Sequence, residues 1–149
     1  MIRKLAVDQA GGFYTEEIRE RGERRGFRIV TFDGAKAVIA HVDFPKTHRI
    51  GKYGVDVAAI DEASAELTKN VDLYLVDEIG KMECLSERFV EHMRALLDSK
   101  RTVVATVASR GEGFIAEVKQ RDDCELWTLN RSNRDAMPER VLRWIRERN

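Results

Sequence analysis

The sequence has 149 residues, the usual size of one globular domain. Hydrophobic residues make up 43% of it, which is enough to build a core and argues against disorder. Lys plus Arg and Asp plus Glu each number 26, so the net charge of zero leaves no electrostatic footprint for duplex nucleic acid or an anionic membrane. No apolar run is long enough to cross a bilayer, no signal-peptide pattern opens the chain and the two cysteines form no CxxC pair, so we expect a cytoplasmic protein.

The first third of the chain is predicted to be mainly antiparallel. Residues 1–6 (MIRKLA) have the pattern of the last turns of an amphipathic helix, which Gly11-Gly12 would end. The charged residues 19–25 are predicted to form an exposed turn, and Asp33-Gly34 predicts a hairpin. The strands that these turns connect are predicted at residues 13–18, 27–32 and 37–42.

After residue 55 the pattern alternates between helix and strand. Asp56 and Ser86 are suited to cap two helices, and a short helix is predicted at residues 114–118. The apolar residues at helical spacing are Ile60, Ala63 and Leu67, then Phe89, Met93 and Leu96, and in the final helix Val141, Leu142 and Ile145. Continuously apolar strands are predicted at residues 73–76, 102–108 and 125–129. This alternation predicts one α/β domain over residues 1–149, with a mostly parallel sheet, helices on both faces and an antiparallel hairpin insert near the N-terminus.

The segment most informative about function is LYLVDEIG, which comprises Leu73, Tyr74, Leu75, Val76, Asp77, Glu78, Ile79 and Gly80. Four apolar residues of a buried strand end in two acids, which is the Walker B pattern, and parallel sheets bind ligands at the carboxyl ends of their strands. In that pattern the Asp holds Mg²⁺ and the Glu polarises the water that attacks a phosphate. Lys81 adds a cation beside them. The alternatives are two acids that cap the next turn and a solvated surface lysine.

Four blocks of the sequence resemble one family. The blocks are GGFYTEEIRE with GFRIV (residues 11–20 and 26–30), RIGKYGV (49–55), VDEIGKME (76–83) and LNRSNRD (129–135). In type and order they resemble the small P-loop nucleoside-triphosphatases, which include thermophilic enzymes and the human cancer-related nucleoside-triphosphatase. The resemblance implies a P-loop NTPase-like fold of the RecA (ASCE) type and slow, Mg²⁺-dependent hydrolysis of ATP, GTP and other nucleoside triphosphates to diphosphates.

The resemblance also implies roles for individual residues. Asp77 would coordinate Mg²⁺, Glu78 would activate water and Lys81 would stabilise phosphate charge. The strand and turn from Leu73 to Gly80 would border the nucleotide, and Arg134 would reach its base or phosphates. Asn133 and Asp135 are alternatively N-caps of the last helix, and RIGKYGV is either a loop near the nucleotide or a Gly-rich connection.

One departure from the family pattern concerns phosphate binding. Members of the family begin with a strand and a GxxxxGK[ST] loop whose backbone N–H groups cradle the phosphates, and neither Gly51-Lys52 nor Gly80-Lys81 fits that loop. We therefore expect a member that lacks its first strand, its phosphate loop and half a helix, through either a start codon assigned too late or a true truncation. The lacking strand would lie beside residues 102–108. The sequence thus predicts weak nucleotide binding and poor hydrolysis by this chain.

Two other functions compete with hydrolysis. The first is a non-catalytic remnant of the fold that acts as an interaction or regulatory module. The second is RNA binding through the C-terminal arginines, but acids such as Asp135, Glu139 and Glu147 alternate with them, as on an ordinary solvated helix face. The expected partners are nucleoside triphosphates, with no membrane, nucleic acid unfavoured and the oligomeric state open.

Overall fold

The structure is a computed structural model that describes residues 10–148. Its strands are β1 (Gly11–Glu20), β2 (Glu23–Thr31), β3 (Lys36–His41), β4 (Arg49–Ile50), β5 (Tyr53–Val55), β6 (Leu73–Ile79) and β7 (Thr102–Val107). Its α-helices are α1 (Val57–Ala63), α2 (Glu87–Asp98), α3 (Phe114–Lys119) and α4 (Met137–Arg148), with short 3₁₀ helices at Ser64–Thr68 and Glu83–Leu85. The helix predicted at residues 1–6 lies outside the described residues.

Within residues 10–148 the strands form one sheet in the order β4-β5-β3-β2-β1-β6-β7. β6 pairs in parallel with β1 on one side and with β7 on the other, whereas the remaining neighbours are antiparallel. The described sheet is therefore mixed and not mostly parallel as predicted. The reason is that the hairpin strands extend the sheet outward from β1, where short turns connect antiparallel neighbours.

The two faces of β6 support two separate cores. Tyr74 and Val76 pack on one face with residues of α1, α2 and α3, including Ile60 and Phe89. Leu73 and Leu75 point to the opposite face and pack with Met137, Val141 and Ile145 of α4. Alternate residues of a strand point to opposite faces, so an apolar run must be covered on both sides. The predicted α/β architecture with helices on both faces is confirmed.

The N-terminal hairpin is longer than predicted. β1 and β2 pair antiparallel as far as Glu20 and Glu23, so that the turn comprises only Arg21 and Gly22, both with positive φ. The exposed turn predicted within residues 19–25 is confirmed, but it is confined to Arg21 and Gly22 because the strands extend into the rest of that segment. Arg19 lies opposite Arg24 and Glu20 lies opposite Glu23, but Glu17 pairs with both Arg19 at 2.9 Å and Arg24 at 2.7 Å, which offsets the repulsion between the two arginines.

Two predicted helix caps are confirmed. The Asp56 carboxylate accepts a hydrogen bond from Ala59 N at the start of α1, and the Ser86 hydroxyl accepts one from Phe89 N at the start of α2. α1 itself is short, and the 3₁₀ helix at Ser64–Thr68 completes the predicted segment. No helix of the described residues is long and apolar enough to span a membrane.

Residues 125–129 are the clearest error in the predicted elements. They form no regular element, and Leu126 and Leu129 are exposed. An apolar run becomes a strand only where a neighbour satisfies its backbone groups, and no described strand pairs with this one. β7, by contrast, ends the described sheet and is half-buried along its whole length.

Candidate functional site

Asp77 and Glu78 lie near the carboxyl end of β6, where the sequence predicted the site. Thr106 on β7 donates a hydrogen bond from its hydroxyl to Asp77 Oδ1 at 2.7 Å. Thr15 on β1 donates from its hydroxyl to the Asp77 main-chain oxygen at 2.5 Å. The peptide bond between Asp77 and Glu78 is cis. The two neighbours of β6 therefore hold Asp77 in place from both sides.

A cavity of about 330 Å³ separates the N-terminal hairpin from the turn that follows β6. Its wall contains apolar side chains, four acids and one cation. They are Phe27, Ile50 and Met82, then Glu16, Glu17, Glu78 and Glu83, and finally Lys81, together with Thr15 and Ala108. Glu16 and Glu17 are paired with Arg28 at 3.5 Å and Arg24 at 2.7 Å, so hairpin cations partly neutralise their charges.

Glu78 projects from the end of β6 into this cavity. Its side chain is exposed overall, yet the surrounding protein desolvates the carboxyl and raises its pKa, with the nearby Asp77 charge as a second cause. A carboxylate with a raised pKa is a better proton acceptor than an ordinary one. Lys81 is exposed on the same wall, and no ion pair involves it among the described residues. Its ammonium is therefore available to an anion.

Glu83 is an acid that the sequence analysis did not select. It is only 4% exposed, and burial, reinforced by the Glu78 charge, raises its pKa to about 8. A buried carboxyl with such a pKa is neutral at pH 7. The only sequence signal for it was its place in the VDEIGKME block.

We expect Glu83 to make stability depend on pH in a distinctive direction. In the unfolded chain it titrates near its usual 4.5, whereas in the folded protein it keeps its proton up to about 8. The contribution of Glu83 to stability is therefore greatest below pH 4.5 and is lost as pH rises toward 8. Urea unfolding from pH 5 to 8 should show this loss, and Glu83→Gln should reduce it. An equal slope in the variant would contradict the assignment.

The other predicted site residues have different surroundings. Leu73, Tyr74, Leu75 and Val76 are at most 7% exposed, so they support the site from the two cores and do not line it. Ile79 is fully buried beneath the turn. Arg134 is exposed in the turn before α4 and does not line the cavity.

Two further predicted features lie in strands β4 and β5 and in the turn before α4. The RIGKYGV block forms β4 and β5, and it contributes Ile50 to the cavity wall. Asn133 accepts a hydrogen bond from Asn130 N at 2.8 Å and so stabilises the turn that precedes α4. Thr15 and Thr106 were missed because a threonine within a strand carries no signal without knowledge of strand order.

The donor set around Asp77 fits Mg²⁺. Among the described residues no group of three or more His, Cys, Asp or Glu side chains forms a metal cage. Mg²⁺ commonly binds one or two carboxylates and takes its remaining ligands from water and substrate phosphates. With Oδ1 bonded to Thr106, Asp77 keeps its other carboxylate oxygen for such an ion.

Comparisons with known proteins show which family the chain belongs to. The family described as NTPase matches residues 1–142. The chain belongs to this NTPase family. It is 39% identical to the nucleoside-triphosphatase THEP1 of Thermotoga sp. (strain RQ2) over 148 residues, which is 95% of this chain and 85% of that protein. It is 28% identical to the human cancer-related nucleoside-triphosphatase over 141 residues, with 83% of this chain and 74% of that protein covered.

Solved structures of NTPase family members have the same fold. The crystal structure of THEP1 from Aquifex aeolicus superimposes with a TM-score of 0.85 at 30% identity and covers 96% of this chain and 87% of its own. The solution structure of the human cancer-related nucleoside triphosphatase gives a TM-score of 0.78 at 27% identity, covering 98% and 86%. The P-loop NTPase-like fold implied by the sequence is therefore confirmed.

Proposed function

We propose that this chain is a Mg²⁺-dependent nucleoside-triphosphatase that hydrolyses ATP, GTP and other nucleoside triphosphates to a diphosphate and phosphate. The observation that supports this most directly is the placement of Asp77 and Glu78 side by side at the end of β6, with Glu78 at a cavity and Asp77 bonded from both neighbouring strands. Membership of the NTPase family supplies the reaction class. A cytoplasmic location is part of the proposal, and the two free cysteines support it.

The proposed roles follow from charge and position. Asp77 would hold Mg²⁺ through the carboxylate oxygen that is not hydrogen-bonded to Thr106. A bound Mg²⁺ would neutralise phosphate charge. Glu78 accepts a proton from water as the water oxygen attacks the γ-phosphorus and the bond to the β–γ bridging oxygen breaks. Lys81 offsets negative charge that develops on the phosphate oxygens. Arg134 is proposed to contact the base or phosphates from the turn before α4.

Weak binding and slow turnover by this chain are part of the proposal. The 149-residue sequence contains no GxxxxGK[ST] loop, so the backbone cradle that contributes most to phosphate binding in P-loop proteins is not encoded in it. Asp77, Glu78 and Lys81 remain in the chain. They are suited to position the metal and the water, but they bind the triphosphate only weakly. We therefore expect a high KM for nucleotide.

Phosphate release from ATP and GTP with Mg²⁺, with and without EDTA, tests the proposal. We expect slow release that EDTA abolishes. No release, with the protein folded by circular dichroism, would favour the alternative of an interaction or regulatory module that retains the fold without turnover.

A second prediction concerns the hydroxyl that orients Asp77. Thr106→Val removes the 2.7 Å hydrogen bond and leaves a half-buried Asp77 oxygen without its partner. Loss of such a supporting hydrogen bond weakens metal binding about tenfold. The Mg²⁺ concentration for half-maximal phosphate release should rise by that factor. Thr102→Val is the matched control, because Thr102 pairs with Leu73 at the opposite end of the same strands. An equal effect of both variants would show that Thr106 has no specific role.

A further inference from the structure

Glu83 takes no part in the proposed reaction, although it lines the same cavity as Glu78. It begins the 3₁₀ helix at Glu83–Leu85, in the turn that directly follows β6. A carboxyl that is 4% exposed loses most of its hydration, so its burial is unfavourable unless neighbouring groups bind it. The groups that surround the Glu83 carboxyl therefore indicate its role.

The position of Gly80 shows how closely the carboxyl groups of Glu78 and Glu83 approach each other. A Cβ atom at Gly80 would lie 3.0 Å from Glu78 Oε1 and 3.0 Å from Glu83 Oε1. Because both oxygens lie at that distance from one point, they are at most about 6 Å apart, which is within the range of strong charge coupling. The missing side chain of Gly80 leaves the space in which the two groups converge.

The backbone of the turn closes around Glu83. The N–H groups of Gly80 and of Glu83 itself lie beside its carboxyl and offset part of the rise in its pKa that burial causes. Cys84 N donates to Gly80 O at 3.0 Å, and Ser86 N donates to Glu83 O at 3.1 Å. The Ser86 hydroxyl in turn donates to Asp61 at the carboxylate, which ties the end of the turn to α1.

We propose that Glu83 is a positioning residue: its buried side chain anchors the turn from Gly80 to Leu85 and thereby fixes the Glu78 carboxyl at the cavity. This inference rests on the proposed function, because it takes Glu78 as the group that activates water. Glu83 itself does not touch the reacting atoms in this scheme. It acts by setting where Glu78 lies.

The charges around Glu83 favour its neutral form while it performs this role. After burial, the charges of Glu78 and then Asp77 on β6 raise the pKa of Glu83, whereas Glu16 and Glu17 of the hairpin are paired with Arg28 and Arg24. Above pH 8 Glu83 would ionise and add a carboxylate beside Glu78. Turnover should then decline on the alkaline side.

The test compares Glu83→Ala and Glu83→Gln, with Glu87→Gln on the exposed start of α2 as the matched control. One readout is kcat and KM for ATP with Mg²⁺ from pH 6 to 9. The other needs no turnover: it is the rate at which a thiol reagent modifies Cys84, with Cys124 replaced by Ser in every protein. Burial, with the charges of Glu83 and Glu78 as further causes, raises the pKa of Cys84 to about 12, so the half-buried thiol reacts slowly while the turn is closed.

Glu83→Ala should lower kcat about tenfold with KM nearly unchanged, and should speed Cys84 modification at least about fivefold. Glu83→Gln keeps a polar oxygen beside the backbone N–H groups of Gly80 and residue 83, so Cys84 should stay protected and most of kcat should remain at pH 7. Because Gln cannot ionise, this variant should lose the alkaline decline. Glu87→Gln should match the parent protein in every measurement.

Equal kcat and equal Cys84 protection in Glu83→Ala and the parent would overturn the proposal. So would a Glu83→Gln variant as impaired as Glu83→Ala, or one that retains the alkaline decline. If the parent itself shows no turnover, the proposed function fails, while the Cys84 rates still decide whether Glu83 anchors the turn. If Glu83→Ala does not fold, the pH profile and Cys84 protection of Glu83→Gln decide the question.

Discussion

Glu78→Gln should lower the rate of nucleoside triphosphate hydrolysis by about 100-fold or more, since an amide cannot accept the proton of the attacking water. Gln has nearly the same shape, and Glu78 is exposed at the cavity, so the fold should be unaffected. Nucleotide affinity should change little, because Asp77 and Lys81 remain. Single-turnover phosphate release, together with binding of a fluorescent nucleotide analogue, measures the two effects separately.

The control for this variant is Glu139→Gln, an equally conservative change on the exposed first turn of α4. It should hydrolyse nucleotide at the parent rate. Hydrolysis by Glu78→Gln within about threefold of the parent would remove Glu78 from the reaction. The two acids at the end of β6 would then be structural, and the interaction-module hypothesis would gain support.

Gly12→Ala should destabilise the protein severely, by more than about 4 kcal/mol. Gly12 has φ +99°, and a Cβ atom there would lie 2.0 Å from the Leu75 main-chain oxygen. That oxygen belongs to β6, which pairs in parallel with β1 at this position, so it cannot move without breaking the sheet beside Asp77. Urea unfolding should show a large loss of stability or no folded protein at all.

Gly22→Ala is the matched control for that steric effect. Gly22 also has a positive φ, +81°, but nothing lies within 4 Å of the position its Cβ would take. The change should cost only the backbone strain, about 1 kcal/mol. Similar losses in both variants would mean that strain, and not the close approach of β1 to β6, explains the glycine at position 12.

The sequence was most informative where local chemistry determines local structure. The caps at Asp56 and Ser86 were predictable because a side chain in the first turn must satisfy backbone N–H groups. The apolar run that ends in Asp77 and Glu78 was predictable because a central parallel strand must be apolar on both faces. Both signals lie within a few residues of the structure that they predict.

The contacts that complete the site are distant in sequence, and this explains why they were missed. Thr15 and Thr106 reach Asp77 across 62 and 29 residues, through a strand order that local patterns do not specify. Gly11-Gly12 was interpreted as a helix end, although Gly12 is required by the close approach of β1 to β6. A parallel pairing of the strands at 73–76 and 102–108 would have placed Thr106 near Asp77, but the sequence alone does not establish that pairing.

Residues 125–129 also show that a local pattern does not predict contacts with distant residues. Their apolar pattern is typical of a strand, yet a strand also needs a hydrogen-bonding neighbour, which propensity does not supply. The length of the charged hairpin was misjudged because the ion pair between Arg24 and Glu17 joins two strands and forms only when they pair across the turn. In both segments the sequence showed correctly which residues are apolar or charged. The error was in predicting which other residues they contact.

The position of β1 in the sheet has a consequence for the order in which the molecule assembles. β1 and β2 are joined by a two-residue turn, so this hairpin forms from contacts close in sequence. The parallel pairing of β1 with β6 closes a loop of about 60 residues, which slows folding because its entropy is lost before the contacts form. During synthesis the ribosome must release β6 and β7 before Thr15, Asp77 and Thr106 can meet. The end of the sheet that holds Asp77 therefore becomes native after the hairpin, and only when strands distant in sequence have paired.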